Sequence, residues 1–253
     1  MKKVNALLIS GWGTTAAIWD PIIPVLEQAY QIDVIEPPWL PAGQALGSMS
    51  AVDDYIESLA QRMSEDTTLI AWSLGGLLAL RLAVRFPNKV KRLVLIASTA
   101  YFPCDQGGLN GIDRSWLNSF CERFKAAPEK TLQRFMTLQV KGEQQAKPCL
   151  RLLQQLCTVS EYDMDECEAG LMLLSTLDVR DELTQVVQPV RIIHGQNDAV
   201  LPVAAGKHLA AVLHSHCHII ADAGHVPQLS HSAAVAEAIC QPWTESLSHY
   251  SKN

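Results

Sequence analysis

Ala71-Trp72-Ser73-Leu74-Gly75 follows a β-rich apolar run, Thr68-Leu69-Ile70-Ala71, and opens a helical pattern from Leu74 to Phe86. A serine between a strand and a helix, with minimal side chains two positions before and two after, marks a sharp turn that aims the hydroxyl outward. The turn drives the serine into a strained backbone conformation, so its neighbours must lack bulk. Ala71 and Gly75 meet that need, and Gly76 adds clearance. The helix directs its N-terminal N–H groups at the serine, where they favour a developing negative charge. An ordinary β–α connection with a satisfied serine has the same local look, so the surrounding chain has to decide.

Strand-like runs recur on both sides: Val4–Ile9, Ile32–Ile35, Arg92–Ala97, Val190–His194 and His218–Ile220. Helical patterns lie between them at Pro24–Ala29, Val52–Met63 and Ala204–Val212, and another closes the chain at Ala233–Leu247, interrupted or begun anew near Pro242. Alternating runs that are apolar on both faces predict an α/β fold, a mostly parallel sheet of about six strands with helices on both faces. The alternation fails over 101–187, where helical patterns follow one another: Arg114–Lys125, Glu129–Val140, Cys149–Leu156 and Asp165–Leu174. The expected organisation is therefore a core of 1–100 and 188–253 interrupted by an all-helical lid, 101–187.

Composition narrows the classes. With 20 basic and 26 acidic residues in 253, the net charge is −6, which argues against nucleic acid or an anionic membrane as partner. The apolar run after Lys2-Lys3 ends at Ile9, too short for a signal or a span, so a cytoplasmic protein is expected. Seven cysteines without a CxxC pair agree with reduced thiols. His214-x-His216-x-His218 would line one face of a strand, but no acidic or cysteine partner completes a metal set.

A serine nucleophile needs a base, and the base needs an orienting acid. Val190–His194 leads into Gly195-Gln196-Asn197-Asp198, and His218–Ile220 into Ala221-Asp222-Ala223-Gly224-His225. Ser73, Asp198 and His225 thus follow one another at the C-terminal ends of strands, where open α/β sheets build their sites. Asp222 is the rival acid, three residues before His225 on its own loop. Ser10-Gly11-Trp12-Gly13 follows the first strand. It supplies one backbone N–H, that of Trp12, and Leu74 supplies the second, as the two donors of an oxyanion hole.

These residues resemble the α/β-hydrolase superfamily over nearly the whole chain. Within it the chain is similar to the pimeloyl-acyl-carrier-protein methyl ester esterases of biotin synthesis. The resemblance is carried by Gly11-Trp12-Gly13, Trp72-Ser73-Leu74-Gly75-Gly76, Arg134-Phe135-Met136-Thr137-Leu138-Gln139, Thr176-Leu177-Asp178-Val179-Arg180 and Gly224-His225. It implies a serine carboxylesterase with no cofactor and no metal. It also implies a substrate site of Trp12, Ser73, Leu74, His225 and the run Phe135, Met136, Thr137, Leu138, Gln139, which lines the acyl pocket in that family. The chain departs from the family at Ser10, where histidine is usual, at Ala71, where glycine is usual, and at Glu36-Pro37-Pro38-Trp39-Leu40, which places Trp39 at the pocket mouth. The strands that ordinarily precede the first parallel strand are also missing, hence six strands.

The lid's charge points the same way. From Arg123 to Arg151 seven basic residues face two acidic ones, in a chain that is acidic as a whole. Lys130 and Arg134 share a helix face at i, i+4. Lys147 and Arg151 have the same spacing, with Pro148 expected to start their helix and leave Lys147 at its edge. The resemblance assigns these four to contact with an acyl carrier protein, an acidic partner whose phosphate such a surface would hold. A monomer is expected. A small-molecule esterase, thioesterase or C–C hydrolase of the same fold, and a non-catalytic ligand-binding protein, remain as alternatives.

Overall fold

The computed structural model describes residues 3–35, 49–104, 110–156 and 164–243. Its centre is a six-stranded sheet built of β1 (Val4–Ile9), β2 (Tyr30–Ile35), β3 (Thr67–Trp72), β4 (Val90–Ile96), β7 (Val190–Gly195) and β8 (Cys217–Ile220). The spatial order is β2-β1-β3-β4-β7-β8, and every pairing is parallel. All six C-terminal ends therefore emerge on one edge.

Side chains alternate between two cores. Leu7, Ile9, Leu69, Ala71, Leu93, Leu95 and Ile192 enter one; Ala6, Leu8, Ile70, Trp72, Val94, Ile96 and Ile193 enter the other. Period-two alternation of uniformly apolar residues is what a sheet covered on both faces requires. The first core is closed by α2 (Met49–Arg62), α3 (Leu74–Arg85) and α8 (Val203–Val212). The second is closed by the 3-10 turn at Ala16–Trp19, α1 (Ile23–Leu26), α9 (Pro227–Ser230) and α10 (Ser232–Cys240).

Between β4 and β7 come β5 (Pro103–Cys104), β6 (Ile112–Asp113), α4 (Arg114–Ala126), α5 (Pro128–Gln139), α6 (Ala146–Leu156) and α7 (Met164–Thr176). The short parallel pair β5–β6 corrects the all-helical expectation for this stretch. Two-residue bridges carry no periodicity to detect. The pair exists because Ile112 N–H donates to the Phe102 carbonyl at 2.7 Å, and Gly111 lets the chains approach that closely. The insertion packs on both cores: Leu117, Phe120, Phe124, Leu132 and Phe135 join the first, and Met136, Val140, Cys149 and Leu153 the second. It thus straddles the sheet edge where the strands end.

Element boundaries shift by a few residues from expectation. α6 begins at Ala146, so Lys147 lies inside its first turn rather than at the helix edge. α1 is one turn only, and α10 stops at Cys240 where Gln241-Pro242 turns extended. The continuation of that helix to Leu247 and the placement of Trp39 lie outside the described residues.

Candidate active site

Ser73 sits between β3 and α3 with φ 55° and ψ −121°, a conformation that a non-glycine residue holds only when its surroundings impose it. The constraint is visible atom by atom. A Cβ on Gly75 would lie 2.3 Å from the Ile9 carbonyl oxygen, and one on Gly76 would lie 2.3 Å from Ser98 Oγ. Ser98 in turn donates to the Ser73 carbonyl at 2.8 Å. The turn can wedge against β1 and the end of β4 only because both positions lack a side chain.

His225 and Asp198 arrive from the ends of β8 and β7. His225 Nε2 lies 3.0 Å from Ser73 Oγ, and His225 Nδ1 lies 2.7 Å from Asp198 Oδ2. With the Nδ1 proton directed at the carboxylate, Nε2 is left as the acceptor for the serine proton. Asp222, the rival acid, is exposed on its loop, while Asp198 is buried against the imidazole. The other oxygen of Asp198 accepts from the backbone N–H groups of Val200 and Leu201 at 2.8 and 2.9 Å.

A second imidazole, absent from the sequence reading, shares this carboxylate. His194, the residue before Gly195 in β7, is fully buried with Nε2 3.2 Å from Asp198 Oδ2 and 3.0 Å from the Leu201 carbonyl oxygen. Both neighbours are acceptors, so Nε2 carries the proton. Gly206 of α8 makes the room, since a Cβ there would lie 2.4 Å from His194 Nδ1. Burial alone would raise the Asp198 carboxyl; the His225 and His194 imidazoles outweigh it and hold the group far below the ordinary carboxylate range.

That depression fixes a sign. A carboxyl held ionised in the folded state contributes stability above its unfolded value, near 4, and the contribution is lost as pH falls below it. The melting temperature of the native protein should exceed that of Asp198→Asn most above about pH 5, with the gap narrowing below about pH 4. Calorimetric scans across that range read it directly; a gap independent of pH would show that the carboxylate is not held ionised.

Trp12 joins the serine to the insertion. A Cβ on Gly11 would lie 3.0 Å from Ser73 Cβ and 2.7 Å from the Trp72 ring, so this loop lies directly on the elbow. Ser10 accepts from Trp19 Nε1 at 2.9 Å and ties the loop to the following 3-10 turn. The Trp12 ring meets Phe120, Phe124 and Phe135 edge-on at 5.1–5.5 Å, and its Nε1 donates to the Cys167 carbonyl at 2.7 Å. Leu74 is the first residue of α3, immediately after the serine.

A pocket opens above Ser73. Beyond Trp12 and Phe135 its walls are Phe102, Ile112, Trp116, Leu117, Phe120, Leu171, Leu174 and Val200, and Ser73 is the one polar side chain among them. The run Phe135–Gln139 does not line it as a unit. Phe135 does, but Met136 turns into the opposite core, Thr137 is exposed with its hydroxyl donating to the Gln133 carbonyl, and Leu138 packs at the margin of the first core. Gln139 acts through its main chain, whose carbonyl accepts from His225 N–H at 2.9 Å. The helical period is the reason: consecutive positions are distributed around α5, so a run of five cannot all face the pocket. Lys130, Arg134, Lys147 and Arg151 are all exposed on α5 and α6, which pack against each other.

Comparison with known proteins agrees with this architecture. Residues 6–238 match the family model described as the alpha/beta hydrolase family. Pimeloyl-[acyl-carrier protein] methyl ester esterase of Nitrosomonas europaea is 34% identical over 234 residues, 89% of this chain and 90% of that protein. The protein of the same name from Aliivibrio salmonicida is 30% identical, over 90% of this chain and 87% of its own. Among solved structures, the bromoperoxidase of Bacillus anthracis superposes with a TM-score of 0.82 at 17% identity, covering 94% of this chain and 91% of that one, a likeness of fold alone.

Proposed function

The chain belongs to the alpha/beta hydrolase family, and on that footing we propose that it is a serine carboxylesterase whose substrate is the methyl ester of a carrier-bound dicarboxylate, pimeloyl-[acyl-carrier protein] methyl ester. The relatives that share about a third of its residues over nine-tenths of its length carry that name.

In the proposed mechanism His225 Nε2 takes the Ser73 hydroxyl proton as Oγ attacks the ester carbonyl. The backbone N–H groups of Trp12 and Leu74 hold the oxyanion, a contribution of about 3–4 kcal/mol per donor in comparable sites. The tetrahedral intermediate collapses, His225 returns the proton to the departing methoxide, and methanol leaves. A water molecule, deprotonated by the same nitrogen, then attacks the acyl-serine and releases the carboxylate. Asp198 holds the imidazole in the required tautomer throughout.

The observation that most favours a carrier-bound substrate is the pocket wall. Apart from Ser73 the described residues that line it are all hydrophobic. A polymethylene chain gains about 0.8 kcal/mol per CH₂ buried there. A free dicarboxylate monoester would also carry an ionised carboxylate along that wall, where the described lining offers no charged partner. The thioester of a carrier-bound chain is neutral and leads out toward the protein that bears it. The carrier is proposed to dock on α5 and α6 through Lys130, Arg134, Lys147 and Arg151, with the helical insertion acting as a cap over the hydrolase core.

Purified protein offered free and carrier-bound pimeloyl methyl ester in parallel should give a kcat/KM at least about 100-fold higher on the carrier-bound form, corresponding to roughly 3 kcal/mol of carrier recognition. Equal values on both would make the protein a small-ester hydrolase, and turnover of neither would remove the substrate assignment.

A further inference from the structure

The segment joining α5 to α6, residues 139–146, does more than connect two helices. Glu143 is buried there, and its Oε1 accepts from Gly224 N–H at 2.7 Å and from Ser230 Oγ at 2.8 Å. Gly224 is the residue before His225. The neighbouring contacts converge on the same loop: His225 N–H donates to the Gln139 carbonyl at 2.9 Å, and Gln144 N–H to the Asp222 carbonyl at 3.3 Å. Asn197, the residue before Asp198, donates its N–H to the Ala223 carbonyl and its side-chain Nδ2 to the Gly142 carbonyl, at 2.8 and 2.9 Å. From the opposite side Trp72 Nε1 donates to the His225 carbonyl at 2.8 Å. Both main-chain polar groups of His225 are therefore fixed, one by the residue before Ser73 and one by the helical insertion.

We propose that Glu143 is a positioning residue for His225, its carboxylate holding the Gly224 N–H so that Nε2 stays in reach of Ser73. The proposal rests on the assignment of Ser73 and His225 as nucleophile and base. A buried ionisable group is expensive, and burial pushes the Glu143 carboxyl up from its ordinary value. Its immediate surroundings are the Gly224 N–H, the Ser230 hydroxyl and His231, whose Nδ1 lies 3.6 Å from Oε2, with Asp198 a further negative charge nearby. An acceptor strong enough to hold a main-chain N–H and a hydroxyl at once, one residue from the base, fits a demand for fixed geometry. Displacement of a catalytic group by about 1 Å costs up to about 100-fold in rate. Gly224 is shaped to the contact, because a Cβ there would lie 2.7 Å from the Gln139 carbonyl oxygen and 3.1 Å from Glu143 Oε1.

The test measures turnover of a small ester per active serine, with the active serines counted by fluorophosphonate labelling. Wild-type protein labelled at Ser73, with labelling lost in Ser73→Ala, checks the underlying assignment by itself. Glu143→Leu fills the volume without an acceptor and should lower kcat per labelled serine roughly 10- to 100-fold, with KM within about twofold. Glu143→Gln, which keeps an acceptor oxygen, should recover kcat to within about threefold of wild type. Should Glu143→Leu fail to fold, Glu143→Asp makes the same test, since it keeps the charge but withdraws the carboxylate by about 1.5 Å. A Leu or Asp variant with wild-type kcat per labelled serine would overturn the proposal, as would a Gln variant no better than Leu. No labelling of the wild type would overturn the assignment of the nucleophile instead.

Discussion

Ser73→Ala and His225→Ala are each expected to abolish ester hydrolysis, lowering kcat by about 10⁴- to 10⁶-fold while the protein remains folded. The two losses should not add, because the nucleophile and its base act as one unit. Asp198→Asn is expected to lose on the order of 10⁴-fold, since the asparagine amide would hold the imidazole in the wrong tautomer. The geometry predicts a contrast for the neighbouring acid: Asp222 is exposed and points its main chain, through its carbonyl, at Gln144 N–H, so Asp222→Ala should turn over within about twofold of wild type. Steady-state kinetics on a p-nitrophenyl ester, with circular dichroism to establish folding, gives all four values. Full activity in Asp198→Asn with loss in Asp222→Ala would reverse the acid assignment.

Much of the site was legible because its parts are tied to strand ends. A parallel sheet delivers every C-terminal end to one edge, so a serine, an aspartate and a histidine that each follow an apolar run must come near one another. The tight elbow was legible too, since only minimal side chains tolerate contacts such as those Gly75 makes with the Ile9 carbonyl. What escaped were contacts with no local signature. Glu143 counts in the sequence as one acidic residue in a basic stretch, and only the tertiary structure buries it against Gly224, 81 residues away. The pocket wall drawn from β6, α4 and α7 belongs to the same class, because an apolar helix face looks identical whether it meets core or ligand. His194 was within reach of the sequence. It lies four residues before Asp198 at the end of an apolar strand, where a polar residue needs a buried partner, and that demand was open to reading.

The proposed carrier surface is the other place where a large effect is expected. Lys130, Arg134, Lys147 and Arg151 are exposed on two helices that pack together, within a basic stretch of a chain of net charge −6. Glu143, one of the two acidic residues of that stretch, is buried, which leaves the exposed face more basic than the sequence count suggests. Reversing all four charges should lower kcat/KM on a carrier-bound ester by about 10²- to 10³-fold, because like charges brought together at an interface cost several kcal/mol. Arg134→Glu should be the largest single contributor. It is the one arginine on α5 among the four, it can grip a phosphate with two parallel N–H groups, and it adjoins Phe135 of the pocket wall. Hydrolysis of a small ester should stay within about twofold of wild type, since the four side chains lie on the outer surface and Ser73, Asp198 and His225 in the interior. The difference between substrates should shrink as salt rises, exposed charges being screened over about 8–10 Å near physiological ionic strength. The decisive measurement is kcat/KM on both substrates at low and high salt for Arg134→Glu and the fourfold variant. Equal losses on both substrates would mean that the helices had unfolded. Full activity on both would leave the stripe a solvated face, and the case for a protein-borne substrate would then rest on the apolar pocket alone.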